Sequence, residues 1–142
     1  MSQHNAVLLL GTNLGDRKKN LETAISRLAA AGNEILKKSN VITSEPVEFV
    51  SSNYFCNIAV IIGTPFSPVG LLDLAKNIEA ELGRTHDSTS TGGYTDRVID
   101  IDIVKYGSLN FVSERLVLPH KKHLFERSFS RAVLEDLFEI KT

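Results

Sequence analysis

The sequence of 142 residues lacks the marks of a secreted, membrane-spanning or nucleic-acid-binding protein. Its single cysteine, Cys56, cannot form an internal disulfide, so a reducing cytoplasm is the expected compartment. No apolar run approaches the roughly 20 residues that span a bilayer, and no hydrophobic signal segment follows Met1. The 16 basic and 17 acidic side chains give a formal charge of −1, which argues against a nucleic-acid binder because such proteins carry a positive excess.

The composition is typical of one globular domain. Hydrophobic residues make up 42% of the chain and charged residues 23%, close to the average for such proteins. No repeat, low-complexity tract or linker interrupts the sequence, so residues 1–142 are predicted to form a single domain. A monomer is expected, with a homodimer as the alternative.

Hydrophobic patterning predicts a mixed fold. Strands are predicted at residues 6–10, 34–45, 54–63 and 98–106, with a short partner strand for the last at 109–112. Helices are predicted to begin near Asp16, at Ser67-Pro68 and at Leu124. The order strand, helix, strand, strand, helix, strand is that of a ferredoxin-like α+β fold, with a mainly antiparallel sheet and helices packed on it.

The segment 97–103, RVIDIDI, is the most informative part of the chain. Because side chains alternate along a strand, Asp100 and Asp102 share one face and the isoleucines face the core. Two neighbouring carboxylates suit Mg²⁺, which takes carboxylates, waters and substrate phosphates, and a pair could hold two ions. The alternative is an ordinary half-exposed strand with a solvated acidic face.

Basic residues flank the acidic pair in the sequence, as expected if a polyphosphate is held between metal and cations. The alternative is solvated surface charge, which is favoured for Lys121 and Lys122 individually but not for Arg97. The flanking basic residues are Arg84, His86, Arg97, Arg115, His120, Lys121, Lys122, His123 and Arg127.

Other polar and aromatic positions are ambiguous from the residues alone. The glycine-containing segment 11–16 is no known phosphate-binding motif and is typical of a tight strand-to-helix turn. Asn57 interrupts an apolar strand, so its amide is satisfied by backbone or reads a ligand. Phe55 and Phe129 suit a core or a ligand platform, and Glu79 suits a solvated helix face.

Taken together, these segments resemble the 6-hydroxymethyl-7,8-dihydropterin pyrophosphokinase family of folate biosynthesis. The resemblance spans about residues 6–140. It is carried, in order, by segments 10–16 (LGTNLGD), 44–46 (SEP), 55–57 (FCN), 78–79 (IE), 83–84 (GR), 97–103, 118–120 (LPH) and 126–127 (ER), and by Phe129.

The resemblance implies a ferredoxin-like fold and Mg²⁺-dependent transfer of a pyrophosphoryl group from ATP to the pterin hydroxymethyl oxygen, with release of AMP. Asp100 and Asp102 would bind two Mg²⁺ ions. Arg84 and Arg97 would stabilise the negative charge on the group as it is transferred. The expected partners are therefore ATP and a reduced pterin, with no nucleic acid and no membrane.

The resemblance also implies binding roles. In the pterin site, Asn57 and the backbone from Ser44 to Val47 would bind the ring edge. Phe55 and Phe129 would stack on the two ring faces, with Phe125 as the alternative to Phe129, and Tyr94 would cap the ring. For ATP, the binding roles fall on Glu79, Arg97, Ile103, Arg115, His120 and Arg127.

Two other functions are consistent with the sequence. One is a non-catalytic ferredoxin-like module that binds a nucleotide or a protein, and the other is a kinase that transfers a single phosphoryl group. The acidic pair together with Arg97 and Asn57 favours catalysis, since a scaffold has no physical need for them.

Overall fold

A computed structural model describes residues 3–44, 54–83, 98–120 and 128–139. The strands are β1 (His4–Thr12), β2 (Glu34–Lys38), β3 (Ile42–Ser44), β4 (Phe55–Thr64), β5 (Asp100–Tyr106), β6 (Phe111–Val112) and β7 (Val117–Leu118). The helices are α1 (Arg17–Ala30), α2 (Pro68–Gly83) and α3 (Ser128–Glu139). Among the described residues, none of these helices combines the length and the apolar character that crossing a bilayer requires.

The main sheet is antiparallel throughout and has the strand order β2-β4-β1-β5, with β3 also paired to β4. The predicted strand–helix order is therefore confirmed, and β1 and β4 occupy the centre of the sheet. Strands β2 and β3 extend one edge and β5 forms the other.

The segment predicted as one strand at 34–45 is two strands. Lys38 lies opposite Val60 and Ile42 opposite Asn57, so four steps along this segment match three along β4. The extra residue is accommodated at Ser39, whose N–H donates to Ala59 O while its Oγ accepts from Ala59 N. The pattern of apolar residues in the sequence did not indicate this interruption of the strand pairing.

The predicted pairing of 109–112 with the preceding strand is wrong. Strand β6 pairs instead with β7 in a separate two-stranded ribbon. The end of this ribbon is attached beside β5, because the His120 N–H donates to Val104 O at 2.8 Å. That hydrogen bond brings residues 113–120 next to the acidic strand.

The two faces of the sheet have separate cores. Helices α1 and α2 cover one face, where the buried side chains include Leu8, Leu10, Leu28, Val60, Ile62, Leu71, Ile78, Ile101 and Ile103. Helix α3 covers part of the other face. Its Val133, Leu134 and Leu137 form a core there with the strand residues Val7, Leu9, Ala59 and Val104. Because α3 covers only part of its face, polar residues can occupy the remaining end.

Segment 11–16 forms the tight turn between β1 and α1. Gly15 has φ 67°, a conformation that favours glycine, and the carboxylate of Asp16 accepts the N–H of Lys19 at 3.1 Å.

We expect Asp16→Ala to lower the free energy of unfolding by about 1 kcal/mol, because the N-cap acceptor of α1 is lost. Asp16→Asn retains an acceptor and serves as the control. Urea unfolding measures both, and equal stability of the alanine and asparagine variants would contradict the capping role.

Candidate active site

The acidic pair lies on one face of the edge strand β5. Asp100 and Asp102 are half-buried, whereas Ile99, Ile101 and Ile103 are buried in the core beneath the helices. The alternation predicted from the sequence is confirmed. The isoleucines anchor the strand, so the two carboxylates are presented on a rigid support.

A continuous row across the sheet joins the acidic pair to Asn57. Ile42 lies opposite Asn57, Asn57 opposite Gly11, and Gly11 opposite Asp100. Directly opposed residues of antiparallel strands project to the same face, so Asn57 and Asp100 share a face and lie two strands apart, about 10 Å. Phe55 precedes Asn57 by two residues and therefore shares that face.

Asn57 is only 2% exposed, although it lies in a strand of apolar residues. A buried amide must be hydrogen-bonded, so its orientation is well defined. Asp102 lies opposite Leu9, and Leu9 opposite Ala59. Both apolar residues belong to the core under α3, which closes this end of the polar face.

The donors in the acidic pair fit a hard divalent cation. Within the described ranges, no three histidine, cysteine, aspartate or glutamate side chains are grouped as metal ligands. Two carboxylates alone suit Mg²⁺, which commonly retains waters and takes its remaining ligands from substrate phosphates.

A cavity of about 460 Å³ lies beside the acidic strand. Its apolar wall comprises Leu72, Ile101, Ile103, Leu116 and Val117, and its polar wall comprises Lys76, Asp102, Glu114, Arg115 and His120. Four residues predicted from the resemblance, namely Asp102, Ile103, Arg115 and His120, thus come together at one cavity. A lining that mixes apolar, basic and acidic side chains suits a ligand with both an apolar and a charged part.

Helix α2 contributes residues that the sequence analysis missed. Leu72 and Lys76 line the cavity, and Asp73 accepts a hydrogen bond from Arg115 Nη2 at 2.6 Å. Leu72, Lys76 and Glu79 are spaced four and three residues apart, which places them on one side of a helix. Starting from Glu79, the same helical spacing in the sequence would have indicated Lys76 and Leu72 as its neighbours on that side.

Glu79 is not on a solvated helix face. Its side chain is 17% exposed, and its Oε2 accepts the backbone N–H of Ile101 at 2.7 Å. Ile101 lies between the two aspartates, so Glu79 holds the peptide that carries them. Lys76 Nζ lies 3.4 Å from Glu79 Oε1.

Burial raises the pKa of the Glu79 carboxyl above its ordinary value. The Ile101 hydrogen bond lowers this pKa, the negative charge of Asp100 raises it further, and Lys76 lowers it. The carboxyl is therefore less acidic than an exposed glutamate, mainly because its charged form is poorly solvated.

The remaining predicted residues are only partly described or lie outside the description. Ser44 ends β3 opposite Phe55, and Phe129 lies in the first turn of α3, but the side chains of these two residues are not among those described. Val47, Arg84, Tyr94, Arg97 and Arg127 lie outside the described residues, as does Phe125.

The fold and this site together define a class of protein. Paired carboxylates beside a cavity with basic side chains, on a ferredoxin-like α+β domain, are suited to positioning and neutralising a polyphosphate, as phosphotransferases do. The model of the family described as 7,8-dihydro-6-hydroxymethylpterin-pyrophosphokinase matches residues 7–141. The chain belongs to this family, and the predicted family is confirmed.

Curated relatives agree with the family. The 2-amino-4-hydroxy-6-hydroxymethyldihydropteridine pyrophosphokinase of Methylorubrum extorquens is 39% identical over 95% of this chain and 81% of the relative. The protein of the same name from Bacillus subtilis is 35% identical over 93% of this chain and 77% of its own. The mitochondrial folate synthesis bifunctional protein of Arabidopsis thaliana is 34% identical, and this chain spans 24% of its length.

Solved structures confirm the fold. An HPPK–DHPS in complex with substrates and a Plasmodium falciparum HPPK–DHPS variant with pteroate each superimpose with a TM-score of 0.66. Each match covers 96% of this chain and 40% of the other, at 14% identity. The predicted ferredoxin-like α+β class is confirmed.

We expect Glu79→Ala to lower the free energy of unfolding by about 1–3 kcal/mol, because the part-buried Ile101 N–H loses its acceptor. Glu22, exposed on α1, provides the matched control, and Glu22→Ala should change stability by less than about 0.5 kcal/mol. Equal effects in urea unfolding would show that the Glu79 hydrogen bond contributes nothing.

The raised pKa of Glu79 predicts a pH dependence of stability. Between the ordinary pKa and the higher folded-state pKa, the folded protein binds more protons than the unfolded chain, so stability falls as pH rises. Glu79→Gln cannot ionise and retains an acceptor, so this fall should be smaller in the variant. Urea unfolding at acidic and neutral pH tests this, and a pH-independent difference between wild type and variant would contradict it.

Proposed function

We propose that this chain transfers the pyrophosphoryl group of ATP to 6-hydroxymethyl-7,8-dihydropterin, releasing AMP, as a step of folate biosynthesis. The hydroxymethyl oxygen forms a bond to the β-phosphorus, and the bond from that phosphorus to the oxygen shared with the α-phosphorus breaks. AMP leaves with that oxygen, and the hydroxyl proton is lost. The observation that carries the proposal is the row that joins Asn57 to Asp100 on one face, next to the cavity beside β5.

The cavity is the proposed ATP site. The Leu72 and Ile103 side chains in its lining suit a base, the charged Arg115 and Lys76 suit phosphates, and His120 offers a further hydrogen-bonding group. Arg97, Arg127 and Arg84 are proposed to complete the phosphate contacts. Glu79 contributes by holding the backbone at Ile101. The protein's main contribution is positioning and charge neutralisation.

Asp100 and Asp102 are the proposed ligands of two Mg²⁺ ions. When bound, these ions would neutralise phosphate charge and so favour attack by an oxygen nucleophile. The half-buried carboxylates are presented by a strand whose opposite face is packed in the core. Because the strand is anchored there, the spacing of the two carboxylates is maintained.

Asn57 and the neighbouring aromatics form the proposed pterin site. The Asn57 side chain contains both a donor and an acceptor, the two kinds of group with which the edge of a flat heterocycle forms hydrogen bonds. Phe55 and Phe129 are proposed to stack on the ring, Tyr94 to cap it, and backbone from Ser44 to Val47 to add hydrogen bonds. The position of Ser44 at the end of β3, opposite Phe55, supports the role proposed for the Ser44 backbone.

Residues 1–142 are proposed to act as one pyrophosphokinase domain that binds only small molecules. Some relatives carry the names of bifunctional proteins, and this chain matches a quarter of their length. A monomer and a cytoplasmic location stay predictions.

We expect Asp100→Asn and Asp102→Asn each to lower the rate of AMP formation at least about a hundredfold, because charge stabilisation of the phosphates is lost. Glu135→Gln, at an exposed position on α3, is the control and should keep full activity. Chromatography of a mixture with ATP, Mg²⁺ and the pterin measures the products.

Full AMP release by the Asp100→Asn/Asp102→Asn double variant would contradict the role of the pair. Production of ADP by the wild type would instead identify a kinase that transfers one phosphoryl group. Absence of any product from the wild type would favour a non-catalytic module.

We expect Asn57→Ala to weaken pterin binding by about 10- to 100-fold, because hydrogen bonds to the ring edge are lost. Binding of an unreactive ATP analogue with Mg²⁺ should stay unchanged. Asn33→Ala is a matched control, since Asn33 is also buried but its amide donates to Leu28 O at the end of α1. Calorimetry measures both ligands, and an equal loss of the two affinities would show that Asn57 is structural.

A further inference from the structure

Gly11 occupies the position between the proposed pterin amide and the acidic pair. It lies on the central strand β1, directly opposite Asn57 on one side and Asp100 on the other. The three residues share a face, and the space directly above Gly11 is taken up by the neighbouring Asn57 amide and Phe55 ring. Asn57 and Asp100 are two strand spacings apart, about 10 Å.

The backbone does not require glycine here. The glycines with positive φ in the described residues are Gly15, Gly32 and Gly107, so Gly11 has an ordinary strand conformation. Glycine weakens a strand compared with alanine, because it loses more conformational freedom on folding. Local stability therefore favours a side chain at this position, and the reason for glycine must lie in its surroundings.

The surroundings exclude even a methyl group. A Cβ atom added at Gly11 would lie 2.9 Å from Asn57 Oδ1 and 3.8 Å from Phe55 Cδ1. The first distance is shorter than real Cβ contacts, so something must shift. Asn57 is 2% exposed, so its amide has little free space to occupy. Because the 2.9 Å contact is the one that is too short, the Asn57 amide is the group that must move.

We propose that Gly11 is a positioning residue: because it has no side chain, the Asn57 amide can keep its pterin-reading orientation. This inference rests on the proposed function, because it assigns the ring to Asn57 and the reacting end to Asp100. A side chain at Gly11 would meet Asn57 Oδ1 and turn the amide away from this orientation.

The test compares Gly11→Ala with Gly63→Ala. Both glycines lie in central strands, but a Cβ at Gly63 would meet the Oε1 end of Gln3, an exposed and flexible side chain that can move away. Gly11→Ala should weaken pterin binding by about tenfold or more, the loss expected when hydrogen bonds are misaligned. Binding of an ATP analogue with Mg²⁺ should change by less than about twofold, and Gly63→Ala should leave both affinities unchanged. Wild-type pterin affinity in Gly11→Ala would overturn the proposal.

A double-mutant cycle tests whether the effect acts through the amide. In the Asn57→Ala background, Gly11→Ala should cost less than about a further twofold, because the clashing oxygen is gone. A further loss as large as in the wild-type background would overturn the proposal. If Gly11→Ala alone does not fold, Gly11→Ala/Asn57→Ala should fold, and its failure to do so would also overturn it.

A measurement without ligand separates this inference from the proposed function. The side-chain amide resonances of Asn57 should shift in Gly11→Ala and stay in place in Gly63→Ala. If the wild type binds no pterin, the proposed function fails, and these resonances still decide whether Gly11 positions the amide. Unshifted Asn57 resonances in Gly11→Ala would overturn the proposal.

Discussion

The antiparallel pairing of β1 with both β4 and β5 is the constraint on which the site depends. It places Gly11 opposite Asn57 and Asp100 in one register, so a single strand sets the distance between the amide and the acids. A slip of one residue would turn every side chain of a strand to the other face and expose the isoleucines of β5. The buried core under the helices therefore enforces the alignment of the polar groups above it.

One face of the sheet contributes mainly to stability, and the other carries the proposed binding groups. Helices α1 and α2 bury a large apolar face that includes Ile101 and Ile103. Helix α3 buries only part of the opposite face, which leaves Asn57, Gly11 and Asp100 beyond its core. Glu79 connects the two functions, because it extends from the helical layer to the peptide between the acids. A site on rigid strands with anchored backbone is suited to aligning two substrates.

Much of the fold was predictable because its signals are local. The strands around Leu8, Ile58 and Ile101 and the first two helices follow from hydrophobic period and turn residues. The split at Ser39 was not predictable, because it depends on a hydrogen-bonded exchange with Ala59 on another strand. The β6–β7 pairing was missed because 109–112 was assigned to the preceding strand, whereas it pairs with the two-residue strand β7 that follows. The residue pattern alone favoured a solvated face for Glu79, and only the family resemblance assigned it to the ATP site, because helical spacing does not reveal which strand edge the helix faces.

The sequence by itself determined the alternation of Asp100 and Asp102 with buried isoleucines, the motifs that carry the family resemblance and the order of the core elements. These properties depend on side-chain chemistry and on short-range periodicity, both of which can be read along the chain. Only the tertiary structure decided that Gly11 separates Asn57 from Asp100, that Lys76 joins Arg115 and His120 at one cavity, and that Glu79 holds Ile101. Those relations are set by strand register and helix packing, which depend on contacts between residues far apart in the chain.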